Sequence, residues 1–181
     1  MSDCCITYGK HTYGEINVIG RRFKNFKVTV GKFCSIASDV SVIGVGHNLD
    51  WVTTYPFPDY DFRHKWPEAK KIEGHPKVYG DVIIEDAVWI GHGVKILGGV
   101  KIGAGAAIAT GSIVTCNVKP YRLVGGNPAQ TLKRLFEQDV IEKLLKIKWW
   151  NWPDEKIKEN VKLLCSNNIH DFLAMHYSED L

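Results

Sequence analysis

The chain has 181 residues, which suits one domain or one domain with a small appendage. Apolar residues make up 45% and charged residues 24%, a balance that excludes disorder, and no apolar run approaches the length of a membrane span. The net charge of +3 is small and scattered, which argues against a nucleic-acid partner.

The opening MSDCCITYGKH has no basic stretch followed by an apolar one, so no secretory signal is predicted. The five cysteines (Cys4, Cys5, Cys34, Cys116 and Cys165) show no metal-site spacing. Reduced thiols in a cytoplasmic protein, with no metal, are the expectation. Residues 1–25 are sparse in glycine and aliphatics. Ile6, Thr12 and Val18 offer a possible upstream frame, but the segment reads as an irregular N-terminal cap.

A period of six begins at Val30 with VGKFCS, IASDVS, VI. Val30, Ile36 and Val42 hold its first position; Cys34 and Val40 hold the fifth. Residues 44–77 then break the repeat with most of the prolines and several aromatics. A stretch this long without its own pattern is usually functional or a linker. Its two ends are in phase, so it reads as a loop leaving one corner of a repeating coil.

The repeat resumes as VYGDVI, IEDAVW, IGHGVK, ILGGVK, IGAGAA, IATGSI, VTCNVK. Its first positions run Val78, Ile84, Ile90, Ile96, Ile102, Ile108 and Val114, all Val or Ile. With aliphatics at roughly a fifth of positions, such a run arises by chance on the order of once in ten thousand or more rarely. The fourth position holds Asp81, Ala87, Gly93, Gly99, Gly105, Gly111 and Asn117, mostly types that tolerate positive φ in turns. Short strands and turns of this kind cannot bury their inward residues alone; stacked coils bury them in one column. The expected fold is therefore an all-β parallel solenoid over 26–119, three hexads to a coil, with loop 44–77.

After KPYRLVGGNPA the pattern turns helical over the C-terminal extension, 120–181. Leu132, Leu135 and Phe136 open an apolar stripe that Val140, Ile141, Leu144, Leu145 and Ile147 continue. WWNWP interrupts it, DEKIKENVKLL reads as a second helix and IHDFLAMH as a short last one. Trp149, Trp150 and Trp152 read as anchors that dock these helices on the coil.

The hexads, the histidine-bearing GHNLDWVTTYPF, the segment IEDAVWIGHGVKILGGVKIGAGAAIATGSIV, the exit VGGNPA and the tail IKWWNWP come in this order. Together they resemble the xenobiotic-acetyltransferase subclass of the hexapeptide acyltransferases, over about residues 26–164. That subclass includes streptogramin and chloramphenicol acetyltransferases and related sugar and polysaccharide O-acetyltransferases. The resemblance implies a left-handed β-helix, a homotrimer, acetyl-CoA as donor and a histidine base. It places His47 as that base and Gly91, His92, Ala109 and Thr110 along the pantetheine arm, where His92 is a cofactor contact or an exposed turn residue. It also marks a departure: where the family often reads Thr-Lys, this chain has Thr115-Cys116, which puts one phosphate contact in doubt. Lys119, Lys133 and Arg134 are candidates to supply that charge, or are ordinary surface.

Acyl transfer from a thioester needs a group to take the acceptor's proton, and donors to hold the oxyanion. Histidine suits the first task because its unperturbed pKa is about 6.5. Asp50, Trp51, Thr54 and Tyr55 follow His47 and are candidates for an acceptor pocket, or simply fold the loop. Asp50 is also a candidate to orient the imidazole. His64 and His75 read as solvent or packing residues. The favoured activity is O-acetylation of a sugar or polysaccharide precursor. Alternatives are a streptogramin- or chloramphenicol-type acceptor, sugar N-acetylation, and a non-catalytic structural solenoid. The last needs a flat, regular outer face, and Tyr79, Glu85, Trp89, Lys95 and Lys101 are irregular. A zinc hydratase on such a coil needs a close histidine pair, which His92 lacks.

Overall fold

The computed structural model describes residues 6–20, 26–59 and 64–178. Cys4 and Cys5 lie outside them; Cys34, Cys116 and Cys165 are unbridged. The chain enters through β1 (Ile6–Tyr8), β2 (Ile16–Ile19), β3 (Val28–Val30), β4 (Ser35–Ile36), β5 (Val40–Ile43) and β6 (Val45–Gly46). After the loop come β7 (Lys77–Val78), β8 (Val82–Ile84), β9 (Trp89–Ile90), β10 (Lys95–Leu97), β11 (Lys101–Ile102), β12 (Ala107–Ile108) and β13 (Ile113–Val114). β14 (Arg122–Gly126) and β15 (Ala129–Arg134) lead to α1 (Gln138–Ile147), α2 (Asp154–Leu164) and α3 (Ile169–His176).

Three sheets are visited in turn. The first orders β1-β3-β8-β11, the second β4-β9-β12-β14-β15, the third β2-β5-β10-β13. Every pairing among these is parallel except β14 with β15. Registers set first positions on first positions: Val30 faces Ile84, Ile36 faces Ile90, and Val42 faces Ile96. A parallel register keeps like residues on one face, so these side chains converge in a single apolar column. Ile84, Ile90, Ile96, Ile102 and Ile108 are each at most 1% exposed. Each such side chain contributes about 1.5–3 kcal/mol by leaving water.

The fourth hexad position does the turning. Phe33, Asp39, Ala87, Gly93, Gly99, Gly105 and Gly111 all have φ between 53° and 78°. This left-handed conformation costs an ordinary L-residue roughly 1–2 kcal/mol, and glycine nothing comparable. Asp81 and Asn117 serve differently: their Oδ1 atoms accept the backbone N–H of Lys27 (2.7 Å) and Lys101 (2.8 Å), tying one coil to the next.

Two boundaries differ from the sequence expectation. Residues 6–20 are not an irregular cap: β1 and β2 add strands to the first and third sheets. The proposed upstream frame holds only at Val18, which faces Val42; Ile6 faces Val28, a fifth-position residue, and Tyr8 takes the first position opposite Val30. The first coil has a longer spacing than the rest, which hides its phase. Downstream, the helical stripe does not start at Leu132. Residues 122–134 form the β14–β15 hairpin, with Val124 buried on Ile108 at the end of the column, and helix begins only at Gln138. Among the described residues no helix is long and apolar enough to cross a membrane.

The helices dock on the corner between the first and second sheets. There His11, Phe33, Ala87, Gly105 and Tyr121 stack as successive left-handed residues. Gly105 leaves the room that Tyr121 fills; a Cβ on it would lie 2.5 Å from the ring. Trp149 packs on Phe33 at 5.1 Å and Phe136 on Tyr121 at 5.8 Å, while Trp150 is buried beneath α1 and α3. Burial pushes the Tyr121 phenol well above its usual range. Trp152 stacks on Phe172 instead of the coil, anchoring α3. A clasp closes the corner: Lys10 Nζ and His11 Nε2 reach the Asp154 carboxylate at 2.8 and 3.0 Å.

Replacing Ile96 with Asp would put an uncompensated charge in the column, so no cooperative fold is expected. A soluble Ile96→Asp protein with the wild-type melting temperature would contradict the assigned inner face. Asp154 is held below the usual carboxylate range by the hydrogen bonds from Lys10 and then His11. A depressed pKa adds stability above the unfolded value of about 3.9 and loses it as pH falls through the folded value. Asp154→Asn should therefore be less stable than wild type at pH 7, with the gap closing below about pH 4. Urea denaturation at both pH values measures this.

Candidate active site

The loop leaves the coil where the third sheet turns toward the first. β6 and β7 pair antiparallel across its base, Val45 with Val78 and Gly46 with Lys77, so the loop ends are fixed before its irregular part begins. His47 is the first residue beyond that base. Its Nδ1 lies 2.7 Å from the Thr54 carbonyl oxygen. A carbonyl oxygen only accepts, so Nδ1 carries the proton and donates it. In the neutral ring Nε2 is then a bare acceptor, and the ring is exposed.

The other loop residues sort by contact. Asp50 does not orient His47: its carboxylate, 81% exposed, pairs with Lys77 Nζ at 3.0 Å. Thr54 acts on the histidine through its main chain. Trp51 lies 6.3 Å from the His75 ring. Tyr55 joins Phe57 and Trp66 in a cluster with ring centroids 4.7–5.7 Å apart, a small core that stiffens the loop while leaving Tyr55 exposed.

Sequence reasoning set His75 aside. The structure brings its ring to 5.3 Å from that of His47, edge to face, with its side chain only 4% exposed. Burial, followed by the His47 charge, lowers its pKa, and Asp59 opposes this with a carboxylate oxygen 3.9 Å from Nε2. His75 stands well away from His47 in sequence and has no periodic partner, so only the closing of the loop reveals the pair.

The residues assigned to the donor occupy a different corner, between the second and third sheets. Gly91 is buried, and a Cβ there would lie 2.6 Å from the Thr110 backbone nitrogen, so only glycine lets these turns stack. Beside them, added Cβ atoms on Gly93 and Gly111 would meet nothing within 4 Å, which makes the corner open and lined by backbone. His92 is exposed there, its Nδ1 2.9 Å from Ser38 Oγ and 3.6 Å from an Asp39 carboxylate oxygen. Ala109 and Thr110 continue the same edge. Thr115 and Cys116 lie elsewhere, on the corner from which the loop springs but further along the coil, both exposed. Lys119 and Lys133 are exposed near the hairpin, and Arg134 pairs with Glu137 at 3.1 Å. A surface pair of this kind is worth about 0–1 kcal/mol, so a phosphate competes for that guanidinium easily. No group of three metal-ligating side chains occurs among the described residues.

Parallel hexad coils, an excursion carrying one prepared histidine and an open, glycine-rich corner define a class of acyl-transferring enzymes. Residues 81–116 match the bacterial transferase hexapeptide family (six repeats). A chloramphenicol acetyltransferase of Agrobacterium fabrum (strain C58 / ATCC 33970) is 39% identical over 161 residues, covering 86% of this chain and 74% of the relative. A probable macrolide acetyltransferase of Lysinibacillus sphaericus is 41% identical over 155 residues, covering 84% and 85%. A hexapeptide-repeat acetyltransferase of Vibrio cholerae O1 biovar eltor, solved with acetyl coenzyme A, superposes with a TM-score of 0.55 at 30% identity. That match covers 73% of this chain and 61% of the solved one. The chain thus belongs to the hexapeptide-repeat acetyltransferases, enzymes whose donor is acetyl-CoA.

The His47 contact has a direct spectroscopic consequence. In protein carrying ¹⁵N-histidine, neutral His47 should appear with its proton on Nδ1 and a bare Nε2. A spectrum with the proton on Nε2 would break the link to Thr54.

Proposed function

We propose that the protein transfers the acetyl group of acetyl-CoA to a hydroxyl of a small organic acceptor, with His47 as general base. The observation that carries this reading is the Nδ1–Thr54 hydrogen bond, which leaves Nε2 unprotonated at the mouth of the loop. Nε2 takes the hydroxyl proton as the acceptor oxygen bonds to the thioester carbonyl carbon. The carbon–sulfur bond then breaks, and the imidazolium returns the proton to the leaving thiolate. The ring ends as it began, and the products are an acetyl ester and free coenzyme A.

The donor path in this reading is the open corner at Gly91, His92, Ala109 and Thr110, with Lys119, Lys133 and Arg134 toward the phosphates. Thr115 and Cys116 stand off this corner, on the side from which the loop springs, and Cys116 lacks the charge a lysine would bring. Within one chain that corner and the His47 loop stand apart, which supports the homotrimer expected of the family: a neighbouring copy would set its open corner against this loop; the left-handed coil rests on the family likeness alone. Asp50, Trp51, Thr54 and Tyr55 form the acceptor wall, Asp50 and Thr54 by fixing its shape.

Two acceptor classes fit. A chloramphenicol- or macrolide-type alcohol is favoured by identity to the two antibiotic-acetylating relatives over most of this chain. A sugar or polysaccharide hydroxyl is favoured by the exposed Tyr55 face, since aromatic rings stack on sugars as readily as on drugs. A panel of both classes with acetyl-CoA, followed by thiol release, separates them.

General-base catalysis contributes roughly 10²–10⁴-fold. His47→Ala should lower kcat by about that factor with KM for acetyl-CoA little changed, because the donor corner is elsewhere. Near-normal kcat at saturation with both substrates would defeat the assignment.

A further inference from the structure

We propose that His75 is a positioning residue for the base, a buried ring whose edge-to-face contact holds the His47 imidazole in the plane that keeps Nδ1 on Thr54 and Nε2 toward the acceptor. The inference rests on His47 being the base. It starts from a mismatch: His47 is exposed, and an exposed side chain ordinarily samples several rotamers. One hydrogen bond to Thr54 fixes a direction but leaves the ring free to swing about it. The second restraint is His75, at 5.3 Å and an interplanar angle of 65°.

His75 is built to serve this way. Its side chain is 4% exposed, whereas that of the base is open to solvent. Trp51 lies on one side of it, and Gly74 beside it has φ of 93° with Trp51 within 3.3 Å of where a Cβ would stand. Backbone and tryptophan therefore lock the second ring before it meets the first. The titratable groups acting on His75 among the described residues are His47 and Asp59. Asp59 is 3.9 Å away, too far for a hydrogen bond, and Lys77, two residues along, is turned to Asp50. Burial, followed by the His47 charge, disfavours the charged form of His75, which opposes a second positive charge when His47 takes up the acceptor proton.

The test uses the full chain and three variants: His75→Phe, which keeps a ring without a titrating nitrogen, His75→Ala, which removes it, and His47→Ala as reference. The first readout needs no acceptor. In ¹⁵N-histidine spectra, wild type and His75→Phe should hold His47 as the Nδ1-protonated tautomer, and His75→Ala should show a mixture. His75 itself should remain neutral as pH is lowered past about 6.5. The second readout is kinetic, with acetyl-CoA and the acceptor turned over in the panel above. His75→Ala should lose about tenfold in kcat, less than the ~10² that a 1 Å misplacement of a reacting group can cost. KM for acetyl-CoA should hold, and His75→Phe should recover most of the loss.

A His75→Ala protein with an unchanged His47 tautomer and unchanged kcat would overturn the proposal. So would a His75→Phe protein that folds yet is as impaired as His75→Ala, because the ring alone would then not be the working part. If His75→Ala does not fold, the tautomer and kcat of His75→Phe still decide. His47→Ala separates the two levels: full activity there removes the base itself, whereas collapse there with an intact His75→Ala removes only this inference.

Discussion

The structure depends on a backbone constraint. In seven hexads one residue takes the left-handed region to turn the chain, and the inward aliphatic reaches the column because that turn is made. In these units the two residues sit three apart. Ile90 is buried because Gly93 turns; Ile102 is buried because Gly105 turns. Glycine meets the demand without strain. Phe33, Ala87, His11 and Tyr121 meet it at a cost of roughly 1–2 kcal/mol each. That four non-glycine residues persist on one corner means something offsets the strain there.

What offsets it is the C-terminal domain. On this corner the turning residues carry side chains that Trp149, Phe136 and Asp154 engage, so the strain is coupled to docking. The opposite choice is made between the second and third sheets, where Gly93 and Gly111 leave open space. The same repeat thus yields a corner that binds the protein's own helices and a corner bare enough for another molecule to approach by its backbone. The third corner is where the repeat is interrupted and the loop inserted.

The column was legible in the sequence because its signal is repeated: Ile84 through Ile108 recur at one spacing, and each recurrence tests the last. Where a feature occurs once, periodicity fails. The first coil is longer than the others, so the six-residue frame lands on Ile6 where the register places Tyr8, and the strands there carry no periodic signal. Leu132 and Leu135 match a helical stripe equally well as a strand followed by a loop; the hairpin is decided by Val124 joining the column, a tertiary preference that overrides local pattern. His47 was legible through resemblance alone. Asp50 looked like its partner because it is near in sequence, but the antiparallel base of the loop brings Lys77 to Asp50 and leaves the imidazole to a main-chain oxygen.

That exchange suits the solvent-facing His47 to the proposed role of base. A carboxylate on Nδ1 would raise the ring's affinity for protons and favour the charged form before any acceptor arrived. A carbonyl on Nδ1 fixes the same tautomer with only a partial charge. The buried His75 ring packs against it, edge to face. On the proposed reading the chemistry is carried by a loop that interrupts the six-residue period. The regular coil contributes rigidity at its base, through Val45 on Val78 and Gly46 on Lys77. A loop anchored at that point can vary its acceptor wall without disturbing the column beneath, and the tautomer of its first side chain stays fixed so long as Thr54 returns to the same place.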